Sequence, residues 1–350
     1  MEEELAKDEY VCLFFDLEGY GAPSEWISDL FVKVVSGKEA KLKNKASMLF
    51  TNLCKGMGTS ESATEAVLRG LFDASNWRER GNAIFEALVN SLEEKKRLVV
   101  FLDELAVMIE HFKDQNNDQK KEADIFLSWL HGIQQKHSGK LSFVAASSIG
   151  LSPLLNKLGL SSRMNAFSVF PLDAWDKETA VRCIRALADG EGTQISDDVA
   201  LCMVEFIGWC SPLYVQLFFG VLKDSFQDKV CTCDDAAKIY REKIVRGPEG
   251  SYQLTHMEER LRNFFNEREY GLAMRTLSCL SKTDAPVMEG ELVDRVKPEV
   301  RNETSFQYIM QNLEHDGYIE KNENGWFFRP GLLKDWWRHR YGDMYNETPS

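Results

Sequence analysis

The stretch Leu98–Leu105, LVVFLDEL, carries an apolar run into two adjacent carboxylates, Asp103 and Glu104. Five apolar residues precede them, with the β-branched Val99 and Val100 near the start, which is how a central strand of a parallel sheet reads. Ligands of open α/β sheets bind outside the carboxyl ends of the strands, so both acids stand where chemistry is done. In phosphate chemistry the first acid of such a pair orients Mg²⁺ through its water shell. The second polarises the water that attacks a terminal phosphate. A turn that happens to carry two acids would read the same way in isolation. A second run, Leu141–Ser148 (LSFVAASS), ends in the hydroxyls of Ser147 and Ser148, placed either to sense a phosphate or to cap the next turn. A third, within Tyr10–Tyr20, reaches Asp16 before Gly19 and Gly21 punctuate a turn.

The elements that must position these tips alternate. A strand through Asp16 is followed by an amphipathic helical pattern from Ser24 to about Leu53, with Trp26, Ile27, Leu30, Phe31 and Val34 at helical spacing. A basic run from Lys38 to Lys45 reads as a solvated face, Gly56 to Glu61 as a polar loop, and Ala63–Phe72 and Trp77–Leu92 as helices. The Asp103 strand, a polar stretch from Lys113 to Glu122, the helix ADIFLSWLHGIQQKH and the Ser148 strand complete a pattern expected to form a parallel sheet covered on both faces. Beyond Pro171 helices take over. One is capped by Asp176 and ends at Gly190, one begins at Ser196, and one opens on Pro212. The last part combines helices YGLAMRTLSCL, GELVDRV and SFQYIMQNLEHDG with a hairpin, YIEK to WFFRP, turning at Asn-Glu-Asn-Gly. Three helices and a hairpin predict a winged-helix module.

At 350 residues and 44% hydrophobic composition the chain has enough apolar surface for two or three globular domains. No apolar run approaches a membrane span, and the acidic start MEEELAKDEY lacks signal-peptide character, so a cytoplasmic protein without membrane contact is expected. A net charge of −13 argues against a surface dominated by nucleic-acid contacts. The eight cysteines show no zinc-finger spacing and are read as reduced, mostly buried thiols, and the six histidines form no ligand pair.

The segments LVVFLDELAVMI, LSFVAASSIGLSPLLNKL, FSVFPLDAWDKETA, FIGWCSPLYVQLF and GLLKDWWRHRYG together resemble the archaeal-type STAND ATPases among the AAA+, ORC-like P-loop NTPases. The resemblance spans nearly the whole chain. It implies an α/β P-loop NTPase-like core over residues 1–172, a helical lid over 173–262 and a C-terminal winged-helix domain over 263–342. It further implies a Walker B strand with Asp103 as the magnesium residue and Glu104 as catalytic base, and a sensor strand ending in Ser147 and Ser148. In the lid, GWCSPLYVQ is similar to a motif that packs near bound nucleotide, giving Gly208, Pro212 and Tyr214, although the usual Gly-Gly-x-Pro form is degraded and Pro212 also reads as a helix-start proline. The implied ligands are ATP and Mg²⁺, and the implied activity is a nucleotide-dependent regulatory switch capable of ATP hydrolysis.

One motif of that family is missing. Neither Gly37-Lys38-Glu39 nor Gly139-Lys140-Leu141 fits G-x-x-x-x-G-K-[ST], so no Walker A loop is present in the sequence. FFDLEG resembles the second core strand of the family, which places the first strand and its phosphate loop, about fifty residues, before Met1. On that expectation tight ATP affinity is lost and the sheet has an opening between the Asp16 and Ser148 strands, to be covered by a partner or by self-association. Two other readings follow: a catalytically inactive scaffold or interaction module, and a winged-helix DNA-binding regulator. In the latter Gln307, Gln311 and Asn312 would face bases, but Glu303, Glu314 and Asp316 would repel phosphates. The aromatic residues Trp326, Phe327, Phe328, Trp336 and Trp337 read as core. Arg338, His339 and Arg340 read as a helix end complementing its dipole. Arg163 could reach a neighbouring subunit's nucleotide as an arginine finger, but reads more simply as a surface residue.

Overall fold

The computed structural model describes residues 9–36, 72, 75–112, 118–226, 230–296 and 303–343, and divides into two compact units, 1–168 and 169–350. The Lys38–Lys45 run, the Gly56–Glu61 loop and most of the Ala63–Phe72 helix lie outside the described residues.

The first unit runs β1 (Tyr10–Asp16), α1 (Pro23–Ser36), α2 (Trp77–Ser91), β2 (Arg97–Asp103), α3 (Leu105–His111), α4 (Gln119–Lys136), β3 (Leu141–Ala145) and α5 (Leu151–Lys157), ending in a 3₁₀ turn, Ser161–Ala166. The described strands form a parallel sheet in the order β1-β2-β3. β2 therefore fills the place between the Asp16 strand and the serine strand. The opening expected there is closed by direct pairing, Asp16 opposite Asp103 and Leu102 opposite Ala145.

Burial alternates along these strands. Val11, Leu13 and Phe15 of β1 and Leu98, Val100 and Leu102 of β2 are buried, and they share a face with Leu141 of β3. Trp26 of α1 gathers that face. Its ring meets Phe15 of the sheet, Phe85 of α2, and Phe126 and Trp129 of α4. Across the sheet, Phe14 is 42% and Val144 45% exposed, and Cys12, Val99 and Phe101 are half-buried. The expectation of cover on both faces is thus corrected among the described residues: this is a sheet with one packed and one open face.

Among the described residues the second unit is helical apart from one hairpin. It contains α6 (Lys177–Glu191), α7 (Asp197–Ile207), α8 (Pro212–Ser225), α9 (Cys233–Ile239), a π-helical turn (Tyr240–Val245), α10 (Pro248–Phe264), α11 (Glu267–Ser281), α12 (Glu289–Val296), α13 (Glu303–His315), β4 (Ile319–Asn322), β5 (Gly325–Phe328) and α14 (Gly331–Tyr341). The expected caps are in place: the side chains of Asp176 and Ser196 accept from the backbone N–H of Thr179 and Val199, and Pro212 is a first-turn proline. Helices α9 and α10 have no counterpart in the sequence reading. α9 starts with a capping box in which Thr232 and Asp235 satisfy each other's backbone N–H, as Asn266 and Glu269 do for α11.

The hairpin is extended by a bridge from Val287 to Trp326, and a Cβ on Gly325 (φ +126°) would lie 2.3 Å from the Val287 carbonyl oxygen. Trp326, Phe328, Trp336 and Trp337 are all buried. Two corrections fall in this unit. Asn312 is 1% exposed and donates to the Tyr308 carbonyl at 2.8 Å, so it cannot face a base. Cys202 and Cys233 form a disulfide with Cα atoms 5.9 Å apart, where reduced thiols were expected.

Candidate functional site

The carboxyl ends of β1 and β2 bring Asp16 and Asp103 side by side. The Asp103 carboxylate accepts from the N–H of Glu104 at 3.1 Å, and its own carbonyl accepts from Leu17 at 2.9 Å, fixing the turn out of each strand. Glu104 does not continue the strand. It occupies the left-handed region (φ 57°, ψ 35°), the sole non-glycine residue with positive φ among the described residues, and it immediately precedes α3. For a side-chain-bearing residue this conformation costs about 1–2 kcal/mol and persists only where neighbours hold it.

The neighbours are the serines. Strand β3 ends at Ala145, so Ser147 and Ser148 lie beyond it and not on the strand, where the sequence had placed them. One Glu104 oxygen, Oε2, accepts from the Ser148 N–H at 2.9 Å, the Ser148 hydroxyl at 2.8 Å and the Ser147 hydroxyl at 3.2 Å. Ser147 Oγ in turn accepts from the N–H of Ala106 in the first turn of α3, at 3.3 Å. Backbone bonds from Leu105 to Ala146 and from Ala146 to Leu102 tie the two tips together. The result is an anionic side chain held by three neutral donors at the end of a parallel sheet. Glu104, Ser147 and Ser148 are thus brought together, with Asp103 one residue away. The left-handed turn carries no signal in the sequence, because a glycine, its usual marker, is absent.

Arg163 forms an ion pair with Asp124 of α4, Nε to Oδ1 at 2.6 Å, with both side chains 38% exposed. In the second unit, Gly208 (φ +74°) ends α7, and a Cβ there would lie 3.3 Å from the Gly331 nitrogen. Tyr214 is 2% exposed, its ring meets Trp209 edge-on, and burial pushes its hydroxyl pKa well up. Pro212 starts the helix that carries it. Gly208 and Tyr214 are thus packed within this unit, whereas Pro212 is exposed at the start of its helix.

Neither a family model nor a curated protein matches the sequence. Among solved structures the fold is similar to the Walker-type ATPase PABY2304 of Pyrococcus abyssi, with a TM-score of 0.55 and 11% identity over 93% of this chain and 84% of that one. The RuvB Holliday junction branch migration motor of Thermotoga maritima matches over 89% of this chain and 96% of its own at 16% identity, but its TM-score of 0.36 is too low to add to that. The Pyrococcus match shows the fold: a mixed α/β chain, mostly helical, whose parallel three-stranded sheet corresponds to a P-loop ATPase-like core.

Proposed function

We propose that the chain is a nucleotide-responsive regulatory protein of the STAND/AAA+ type, with residues 1–172 as its P-loop NTPase-like core, 173–262 as a helical lid and 263–342 as a winged-helix domain. The observation that carries this reading is the tip of β2, where a strained Glu104 is held beside Asp103 by Ser147 and Ser148. A residue held in the left-handed region by its neighbours is a mark of a functional site.

The fit to the implied ligands is partial. Mg²⁺ is held by one or two carboxylates together with substrate phosphates, so Asp103 is a suitable ligand, and the ion would arrive with the nucleotide. Among the described residues no group of three or more His, Cys, Asp or Glu side chains could hold a metal by itself. The phosphate half is not matched, since no G-x-x-x-x-G-K-[ST] occurs in the sequence. We therefore assign nucleotide response rather than hydrolysis to this chain. Glu104 would serve as base only with a phosphate loop supplied to the site, and its Oε2 oxygen is taken up by three donors.

The same missing loop favours a second reading, a non-catalytic interaction module. A DNA-binding role for the winged helix has less support. Among the described side chains of α13 the exposed ones are Gln307, Gln311, Glu314 and His315, and the wing's two cations are paired, Lys321 with Glu289 and Arg329 with Glu320. Equilibrium binding of a labelled ATP analogue with Mg²⁺, alongside Asp103→Ala, decides between nucleotide response and interaction module. Without charge-assisted phosphate donors, each worth about 1.5–3 kcal/mol, we expect Mg²⁺-dependent binding near ~100 µM that is at least ~10-fold weaker in the variant. No binding at millimolar nucleotide leaves the interaction module.

A further inference from the structure

We propose that Cys202 and Cys233 are a reversible redox pair that clamps the start of α9 onto α7. The two sulfurs are bonded across 31 residues of sequence, both cysteines are half-buried, and a small thiol or disulfide can reach them. The reduced state is also provided for. The Cys233 sulfur lies 3.3 Å from the Asp198 carbonyl oxygen, which accepts the thiol hydrogen once the bond is cut. Cys231, only two residues from Cys233, does not compete. It is 3% exposed, and burial first and the neighbouring Asp235 second push its thiol up to about 11, so it stays protonated.

The bond ties Cys233, the first residue of α9, to Cys202 in the second turn of α7. Asp197 is paired with Arg185, and Asp235 is used in the cap of its own helix by Thr232, so neither acid holds the two helices together. Without the bond, the first turn of α9 loses its covalent tie and moves away from α7. The other end of that segment stays anchored, because Tyr240 stacks on Phe206 of α7 with ring centroids 4.8 Å apart and donates to Asp335 of α14 at 2.7 Å. Reduction therefore loosens the start of α9 without releasing the C-terminal helix.

The oxidant is a small-molecule disulfide such as glutathione disulfide. One cysteine thiolate attacks a sulfur of that disulfide, forming a mixed disulfide and releasing one small thiol. The second cysteine thiolate attacks the protein sulfur of the mixed disulfide and releases the other small thiol. The cysteines lose two electrons and the small disulfide gains them, while the two cysteine protons end on the released thiols.

The test uses the full chain, equilibrated with glutathione disulfide or with millimolar reduced glutathione under native conditions. Alkylation with mass mapping reads the bond, and hydrogen exchange reads α9. Expected are a Cys202–Cys233 cross-linked peptide in the first sample only, exchange over residues 231–239 at least ~10-fold faster in the second, and a melting temperature about 5–10 °C lower on reduction. Cys202→Ser should match the reduced chain under both conditions, and Cys231→Ser should behave as the parent. If Cys202→Ser does not fold, Cys233→Ser and the mapping of the parent chain give the same reading. Failure of the bond to form with the oxidant, or its survival in reduced glutathione as a fixed structural link, overturns the proposal.

Discussion

Two glutamates, one in each unit, are held by three hydrogen bonds apiece, and the difference between them separates a site from a staple. Glu104 takes neutral donors from two serines onto one oxygen, keeps a strained backbone and stands at the carboxyl end of the central strand. Glu258 of α10 is buried in unstrained helix. Its Oε1 accepts from Arg262 and from the Tyr270 hydroxyl, both at 2.5 Å, and its Oε2 accepts from the Tyr341 hydroxyl at 2.7 Å. A cation and two rings from α11 and α14 leave that carboxylate with a structural task. Serine hydroxyls can be given up to an incoming group, whereas the Glu258 network joins three helices and has nowhere to go.

The largest effect should fall on the staple. Glu258→Ala leaves two tyrosine hydroxyls without their acceptor, and we expect it to lower unfolding free energy by about 2–4 kcal/mol in urea. Glu258→Gln keeps an acceptor and should cost roughly half as much. The pH dependence sharpens this. Burial raises the Glu258 pKa, but bonds from Tyr270, Arg262 and Tyr341 outweigh it and hold the carboxyl below the ordinary glutamate value. A depressed folded-state pKa contributes stability that is present above the unfolded value and lost as pH falls through the folded one. The second unit should therefore lose this contribution only below about pH 4.5, and the glutamine variant should lack it. Equal acid sensitivity in both chains would remove Glu258 from the account.

The site should respond more weakly and in an order that reports its strain. Glu104→Ala and Glu104→Gly both lose the three serine bonds, a loss of about 1–2 kcal/mol given their partial exposure. Only glycine relaxes the left-handed backbone. Glu104→Gly should thus be more stable than Glu104→Ala by about 1 kcal/mol, the reverse of the usual ranking in a helix start. If alanine proves the better residue, the turn in solution is not the one described here, and Glu104 is an ordinary first-turn acid.

What could be read in advance follows from how local each feature is. The run Leu98–Leu102 announces a buried strand because its apolar residues are contiguous, and Asp176, Ser196 and Pro212 announce helix starts because capping chemistry lies within one turn. The residues of the candidate site were likewise visible as types at strand ends. Their mutual arrangement was not. Nothing in Asp-Glu-Leu signals φ 57° at Glu104, a conformation imposed by donors 43 and 44 residues away. The sheet face left open among the described residues was hidden by the half-buried Val99 and Phe101, which made the run look apolar throughout. Asn312 looked available because polar residues are read as exposed, yet it caps its own helix wall through the Tyr308 carbonyl. The Cys202 and Cys233 pairing needs the packing of α7 against α9, and α9 itself is short and acid-rich, with too few apolar positions to show a helical period.

The smallest effect should come from Arg163, and it tests where the site ends. Its guanidinium is paired with Asp124, and at 38% exposure for each partner such a pair contributes about 0–0.5 kcal/mol after solvent screening. Arg163→Ala should accordingly leave the urea midpoint within error and leave binding of the ATP analogue unchanged, in contrast to Asp103→Ala. A binding loss of threefold or more with unchanged stability would mean that Arg163 exchanges Asp124 for a phosphate when nucleotide is present. The site would then extend from the serine-held Glu104 to the 3₁₀ turn after α5, and the missing phosphate donors would have a partial substitute on this chain.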